Sequence, residues 1–336
     1  MRTKLIFTIF LSLFMVTPQP SPANSNPTAL VRSEPQTDLK AAEEFWTPER
    51  LEEALKNPRE MKTDQPPAKS LPPLEKGPAT PRWSPPFCPD CDSQDRMLRP
   101  LTAPAVKDLS CPASSYNVSY PPNYTNYPNR VVGKLFFRTS QGAATCSGSL
   151  INRRLVLTAA HCVCNGSGQW YSNVIFIPAY RYGAEPYGRW AAAYFQTFQG
   201  ALYGDDKRLD VAVIFLQENL GTRLGWLGYR TGLEPRSKWW KQYGYPARSP
   251  FDGRRLVINQ SAYGGYLLAW GTPAPVAVGS GLTQGCSGGP WVEIYNGHNY
   301  ANGVNSFFTV SCPRNMYSPY FGENVYNLLH SAVNRQ

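Results

Sequence analysis

The last two-thirds of the sequence predicts an all-β fold, a sandwich or barrel, and three observations carry that reading. Short apolar runs rich in Val, Ile, Phe and Tyr recur after Asn126: "VVGKLFF", "TCSGSLI", "RLVLTAA", "NVIFIPA", "DVAVIFL", "RLVINQSAYGGYLLAW" and "GGPWVEIY". Gly, Asn and Pro turns separate these runs, the rhythm of short antiparallel strands. One segment alone is clearly helical there: in Gly322 to Gln336, Val325, Leu328, Leu329, Ala332 and Val333 follow the i, i+3, i+4, i+7, i+8 spacing of an apolar stripe.

The elements before this region differ in kind. Arg2 and Lys4 precede a short apolar run, Leu5 to Val16, and small residues follow at Ser21 to Ala23. Residues 1–23 therefore have the form of a secretory signal peptide, and the run is too short to span a bilayer. Residues 24–126 are proline-rich; Gln65 to Pro89 cannot form a helix or a central strand and is expected to be an extended linker. One helical island interrupts it, "FWTPERLEEALKN" (Phe45 to Asn57), with Thr47 as N-cap, Pro48 at the first helical position and Glu49 at the positive helix end. Phe45, Trp46, Leu51, Ala54 and Leu55 would dock that helix on another surface, as a detachable prosegment or a permanent tether. Residues 127–336 form the β domain, long enough for two packed barrels.

The formal net charge of +10 lies wholly in that domain, with 19 basic against 9 acidic residues from Arg130 onward. The basic residues are scattered, so a solvated surface is expected rather than a nucleic-acid face. No later run is apolar and long enough for a membrane span. Eight cysteines in an exported chain favour disulfides, and "CPDC" (Cys88 to Cys91) is expected to be oxidised rather than half of a zinc site. The pairing of Cys88, Cys91, Cys111 and Cys164 is left open. Asn117, Asn123, Asn165 and Asn259 each begin an N-x-S/T sequon. No cofactor or metal is called for.

"TQGCSGGPW" (Thr283 to Trp291) sets a serine among glycines, which cost backbone entropy wherever they are fixed. Either the stretch is a surface turn, or it is bent so that the Ser287 hydroxyl and nearby N–H groups face one substrate carbonyl. A serine nucleophile needs a base, usually histidine. Of the three histidines, His298 is in a turn and His330 is beside the helical stripe; His161 ends "LVLTAAHC", between an apolar strand and a cysteine. The base needs a carboxylate to fix its tautomer. Asp205 and Asp206 read as solvated, whereas Asp210 opens the buried run "VAVIFL".

With "LTAAHC", "DVAV" and "GCSGGP" in that order, the chain resembles the chymotrypsin-like (trypsin-fold) serine proteases over Tyr127 to Gln336. "YPNRVVGKLFF" followed by "CSGSLI" is most similar to the secreted glutamyl endopeptidase (V8-like) branch, and "FWTPERLEEA" to prosegments of bacterial members. The resemblance implies two packed antiparallel β-barrels with a C-terminal helix, and a secreted serine endopeptidase acting on proteins or peptides. Ser287 would attack the scissile carbonyl, His161 would relay the proton, and Asp210 would orient His161. The N–H groups of Gly285 and Ser287 would form the oxyanion hole. An inactive homologue serving as a binding module is the alternative. The oligomeric state is left open.

The resemblance also implies a Cys146–Cys162 bridge that staples the histidine turn. In trypsin-like members an aspartate precedes the serine and receives a new N-terminus; Cys286 cannot, so a cut after Arg130 in "RVVG" would not activate by that ion pair. Cys286 is instead expected to bridge Cys312, clamping the oxyanion loop to "GVNSFF"; a free buried thiol is the alternative. The primary pocket would have Gly281 at its floor, Leu282 and Thr283 on one wall and Asn305 and Ser306 on the other, with Phe307 and Phe308 restricting access. It has no aspartate to select Arg or Lys, and Asn305 stands where glutamyl endopeptidases have a histidine.

Overall fold

The computed structural model describes residues 26–36, 38–59, 73–74, 80–91, 111, 115–236 and 238–336. The expected signal peptide, residues 1–23, lies outside the described residues. Before the β domain come β1 (Leu30–Arg32), α1 (Leu39–Glu44), α2 (Pro48–Lys56), β2 (Arg82–Ser84) and β3 (Tyr116–Ser119). Next are β4 (Val132–Thr139), β5 (Gly142–Leu150), β6 (Leu155–Thr158), β7 (Ser172–Pro178), β8 (Trp190–Phe198), α3 (Gln199–Gly204), β9 (Ala212–Leu216) and α4 (Leu220–Leu224). The chain ends with β10 (Gly228–Thr231), β11 (Trp239–Gly244), β12 (Val257–Tyr266), β13 (Val276–Gly279), β14 (Pro290–Tyr295), β15 (His298–Val304), β16 (Asn315–Ser318) and α5 (Glu323–Val333).

The first sheet has the order β1-β8-β7-β4-β5-β6-β9, and β8 also pairs with β9, so β4 to β9 close into a six-stranded barrel. The second has the order β16-β13-β12-β11-β14-β15-β10-β2, with β3 beside β12. The architecture is the two-barrel fold expected. Strands inside it are buried on both faces rather than alternating; β6 and β9 have no exposed position. At the end of the chain, α5 buries Val325, Leu328, Leu329 and Ala332, four residues of its stripe, and packs against β8 and β9.

The N-terminal region is more than a linker. β1 adds to the edge of the first barrel beside β8, while β2 and β3 join the second sheet beside β10 and β12. Proline confines such strands to edges, because it cannot donate to a ladder, and β2 is indeed terminal in its sheet. α2 begins as its residues dictate: the Thr47 hydroxyl accepts from Arg50 N, and Leu51, Ala54 and Leu55 are buried against the first barrel. α1, with Asp38 accepting from Ala41 N, has only six residues, too few for a periodic signal.

Lys134 departs from the apolar filling of β4. It is fully buried, and its Nζ has no hydrogen-bond partner among the described residues. Nζ lies 5.5 Å from the Phe136 ring centroid and 5.4 Å from that of Tyr245. Burial pushes this amine down to about 7, opposed by the Asp252 charge and aided by Arg254. An unfolded lysine keeps its proton to near 10.5, so between these values the unfolded chain binds more protons and stability rises with pH, by up to about 1.4 kcal/mol per unit. Lys134→Met should raise the urea midpoint near neutral pH and flatten its rise toward pH 10.5; denaturation curves at stepped pH measure both.

Candidate active site

Strand pairing brings His161 and Asp210 together. β6 and β9 are antiparallel partners, with Thr158 opposite Ala212. A short helical turn, Ala160–Cys162, follows β6, and Asp210 ends the turn before β9. A Cys146–Cys162 disulfide ties the histidine turn to β5. The His161 backbone N–H donates to Asp210 Oδ1 at 2.9 Å, and Nδ1 lies 2.9 Å from Oδ2. The Ser306 hydroxyl donates to the same Oδ2 from the second barrel. With Nδ1 committed to the carboxylate, Nε2 is left to accept a proton; it is buried and makes no hydrogen bond among the described residues. Burial alone would raise the Asp210 pKa, but His161, the Ser306 hydroxyl and Lys207 outweigh it and hold the carboxylate at about 2. It is ionised at neutral pH.

The other candidates are elsewhere. His298 is exposed at the start of β15, and His330 is exposed on α5, stacked on Tyr326. Asp205 pairs with Lys207. Asp206 is not solvated as its polar neighbours suggest: its side chain is 10% exposed and holds Arg208 at 2.7 Å.

The glycines around Ser287 are explained by what surrounds them. A Cβ on Gly289 would lie 1.9 Å from the Tyr243 carbonyl oxygen, and one on Gly288 would lie 2.0 Å from Thr158 Oγ1. Gly288 and Gly285 also have φ of +79° and +94°, the left-handed region. The turn is thereby wedged between the barrels. The Ser147 N–H donates to the Ser287 carbonyl at 2.7 Å, and the Ser147 hydroxyl to the Gly285 carbonyl at 2.9 Å. One carbonyl receives both the Gly285 N–H, at 3.3 Å, and the Ser287 hydroxyl, at 3.5 Å. That carbonyl belongs to Arg59, which follows α2. No hydrogen bond joins Ser287 Oγ to His161 Nε2 among the described residues.

The residues expected to line the primary pocket hold other positions. Gly281 donates its N–H to Asn259 Oδ1, and a Cβ there would meet Tyr116 at 2.8 Å and Val118 at 2.9 Å, so β3 covers it. The Thr283 hydroxyl donates to the Arg248 carbonyl and accepts from the Arg248 N–H. Asn305 is fully buried; its Oδ1 accepts from Trp291 Nε1 and its amide donates to the Tyr243 and Cys286 carbonyls. These bonds use both amide protons and one Oδ1 lone pair and hold the side chain in the interior, where it has no exposed surface. Ser306 is bound to Asp210. Phe307 points inward, stacked on Tyr317 and beside Trp270, so it does not narrow the cleft. The Asn259 sequon is likewise buried, its Nδ2 on the Gly279 carbonyl.

The expected Cys286–Cys312 clamp is overturned. Cys312 is bonded to Cys111, Cys88 to Cys91, and Cys286 and Cys164 are free buried thiols. The Cys286 side chain packs on Gly244, whose added Cβ would be 2.7 Å from it, within an apolar cluster with Trp240, Leu282 and Trp291. Burial pushes both thiols up to about 12, which leaves them unreactive. Sequence gave no sign of Arg59: one basic residue after a proline carries no pattern, and only the docking of α2 brings it to Ser287.

Comparison with known proteins shows the family of the fold. The family model described as Trypsin matches residues 123–330. Protease Anisep from Arthrobacter nicotinovorans aligns with a TM-score of 0.56 at 30% identity, covering 61% of this chain and 96% of its own. A thermostable serine protease, AL20, from an extremophilic microorganism, gives 0.56 at 29% identity over 62% of this chain and 98% of its own. An extracellular metalloprotease of Bacillus subtilis (strain 168) is 31% identical over 109 residues, 32% of this chain; the chain spans only about a third of that relative, 35%.

Two outcomes follow from the packing. Gly288→Ala should lower stability by about 3 kcal/mol or more, seen as a fall in the urea midpoint, because strain and a backbone clash coincide there. Alkylation without reductant should label neither Cys164 nor Cys286 in the folded protein and both after denaturation, with Cys111 and Cys312 recovered as one linked peptide.

Proposed function

Because this chain belongs to the trypsin family of peptidases, we propose that it is a secreted serine endopeptidase in which Ser287, His161 and Asp210 act together. His161 Nε2 takes the Ser287 proton as Oγ attacks the scissile carbonyl. The ionised Asp210 holds Nδ1 and stabilises the imidazolium. The tetrahedral oxyanion is met by the N–H groups of Gly285 and Ser287, each such donor being worth about 3 kcal/mol of barrier. The imidazolium returns its proton to the leaving amine, and water then releases the acyl group from Ser287. The observation that carries this reading is the convergence of the Gly285 N–H and the Ser287 hydroxyl on a single carbonyl oxygen.

Secretion is supported by residues 1–23 and by three disulfides, which persist in oxidising compartments. Residues up to Arg59 act as a prosegment. Activation after Arg130 is disfavoured: Arg130 is 7% exposed, donates to the Leu224 carbonyl at 2.7 Å and pairs with Asp90, while Val131 and Val132 are fully buried. Cys286, in its apolar cluster, offers no charge to a new N-terminus. With both Asn305 amide protons bound to backbone carbonyls and no histidine beside it, a small polar or apolar residue before the cut fits as well as the glutamate of the V8-like branch.

After limited digestion has removed the N-terminal segment, a fluorophosphonate probe should label the protein once, and Ser287→Ala should abolish labelling. Asp210→Asn should cut kcat on a peptide substrate by about ten-thousand-fold with the fold intact. Full labelling of Ser287→Ala, or an intact peptide library after prolonged incubation, contradicts the proposal and favours an inactive homologue.

A further inference from the structure

The first barrel carries a docking surface filled by the chain's own residues Asp38 to Arg59. Trp46 is buried, its ring centroid 5.6 Å from that of Phe136, and its indole N–H donates to the Asn173 carbonyl at 2.6 Å. Arg189 donates to the Trp46 carbonyl, and the Ala191 N–H to the Glu43 carboxylate at 3.1 Å. On α2, Arg254 grips the Glu52 carboxylate and Arg248 caps the Lys56 carbonyl at 3.1 Å. This anchoring ends at the candidate nucleophile: Pro58 pairs with Thr145, the Arg59 N–H donates to the Thr145 carbonyl at 3.0 Å, and the Arg59 carbonyl accepts from the Gly285 N–H and the Ser287 hydroxyl.

The direction of the chain matters as much as its position. The Pro58–Thr145 pairing is parallel, and β5 runs toward Ser287, since Ser147 bonds it. A substrate must set its leaving amine on the side of His161, which the Cys146–Cys162 bridge holds against β5. Here that side is taken by Pro58 and the Arg59 N–H, the part of the chain that precedes the carbonyl. The Arg59 side chain also avoids the region of Gly281 and Thr283; its guanidinium carbon is 5.5 Å from the Tyr171 ring centroid, on the first barrel.

Resting on the reading of Ser287 as nucleophile, we propose that residues Asp38 to Arg59 are a built-in inhibitor that fills the oxyanion site in the direction opposite to a substrate. The enzyme therefore cannot cut its inhibitor at the carbonyl it holds. Cleavage beyond Arg59 followed by dissociation frees the site.

The test uses the full chain with Trp46→Ala and, as a milder change on the exposed side of α2, Glu52→Arg. Fluorophosphonate labelling should run about tenfold or more faster than in the unaltered chain for Trp46→Ala and a few-fold faster for Glu52→Arg. Mass spectrometry of the unaltered chain should recover the Arg59–Glu60 bond intact. Equal labelling rates across the three proteins overturn the inference, as does a fragment ending at Arg59 that disappears in Ser287→Ala. If no protein is labelled even after residues up to Arg59 have been digested away, the serine protease reading itself fails and the inhibitor reading falls with it.

Discussion

Taking a carboxylate out of water costs several kcal/mol unless the charge is fully met by hydrogen bonds. Asp210 is 2% exposed, and the molecule meets that cost from both barrels. His161 supplies a backbone N–H and Nδ1 from the first, and Ser306 supplies a hydroxyl from the second. The arrangement requires β6 and β9 to stay in register and the two sheets to stay in contact. It also fixes which imidazole nitrogen is left without a hydrogen-bond partner among the described residues.

The serine turn is governed by the opposite constraint, lack of room rather than lack of solvent. Between Tyr243, Thr158 and Ser147 there is no space for side chains at 288 and 289, so the backbone itself forms the wall. Asn305, whose place in the chain suggests a substrate contact, is consumed in holding that wall to β11 and the Cys286 carbonyl. Cys286 contributes apolar packing beneath it. A disulfide there would have required Cys312, which lies in a loop already tied to Cys111.

That Cys111–Cys312 bridge shows how the N-terminal extension divides. Its later strands, β2 and β3, are built into the second sheet, and the Cys88–Cys91 turn between them holds Arg130 through Asp90. Its earlier part, through Arg59, is held by the edge strand β1 and side-chain anchors on the first barrel and by Arg254 from the β11–β12 loop of the second.

Much of this was legible in the residues alone. The strand rhythm, the α5 stripe and the Thr47-Pro48 start of α2 are local patterns, because periodicity and capping depend on neighbours a few positions apart. His161, Asp210 and Ser287 could be selected by elimination, since each is bracketed by an apolar strand or by glycines. What the chain could not disclose depends on partners far away in sequence. The Cys111–Cys312 pairing, the hydrogen bonds of Asn305 and the inward turn of Phe307 each follow from which groups meet in the folded chain. The Arg59 carbonyl reaches Ser287 across 228 positions, brought there by a helix whose docking surface exists only once β4 and β5 have folded.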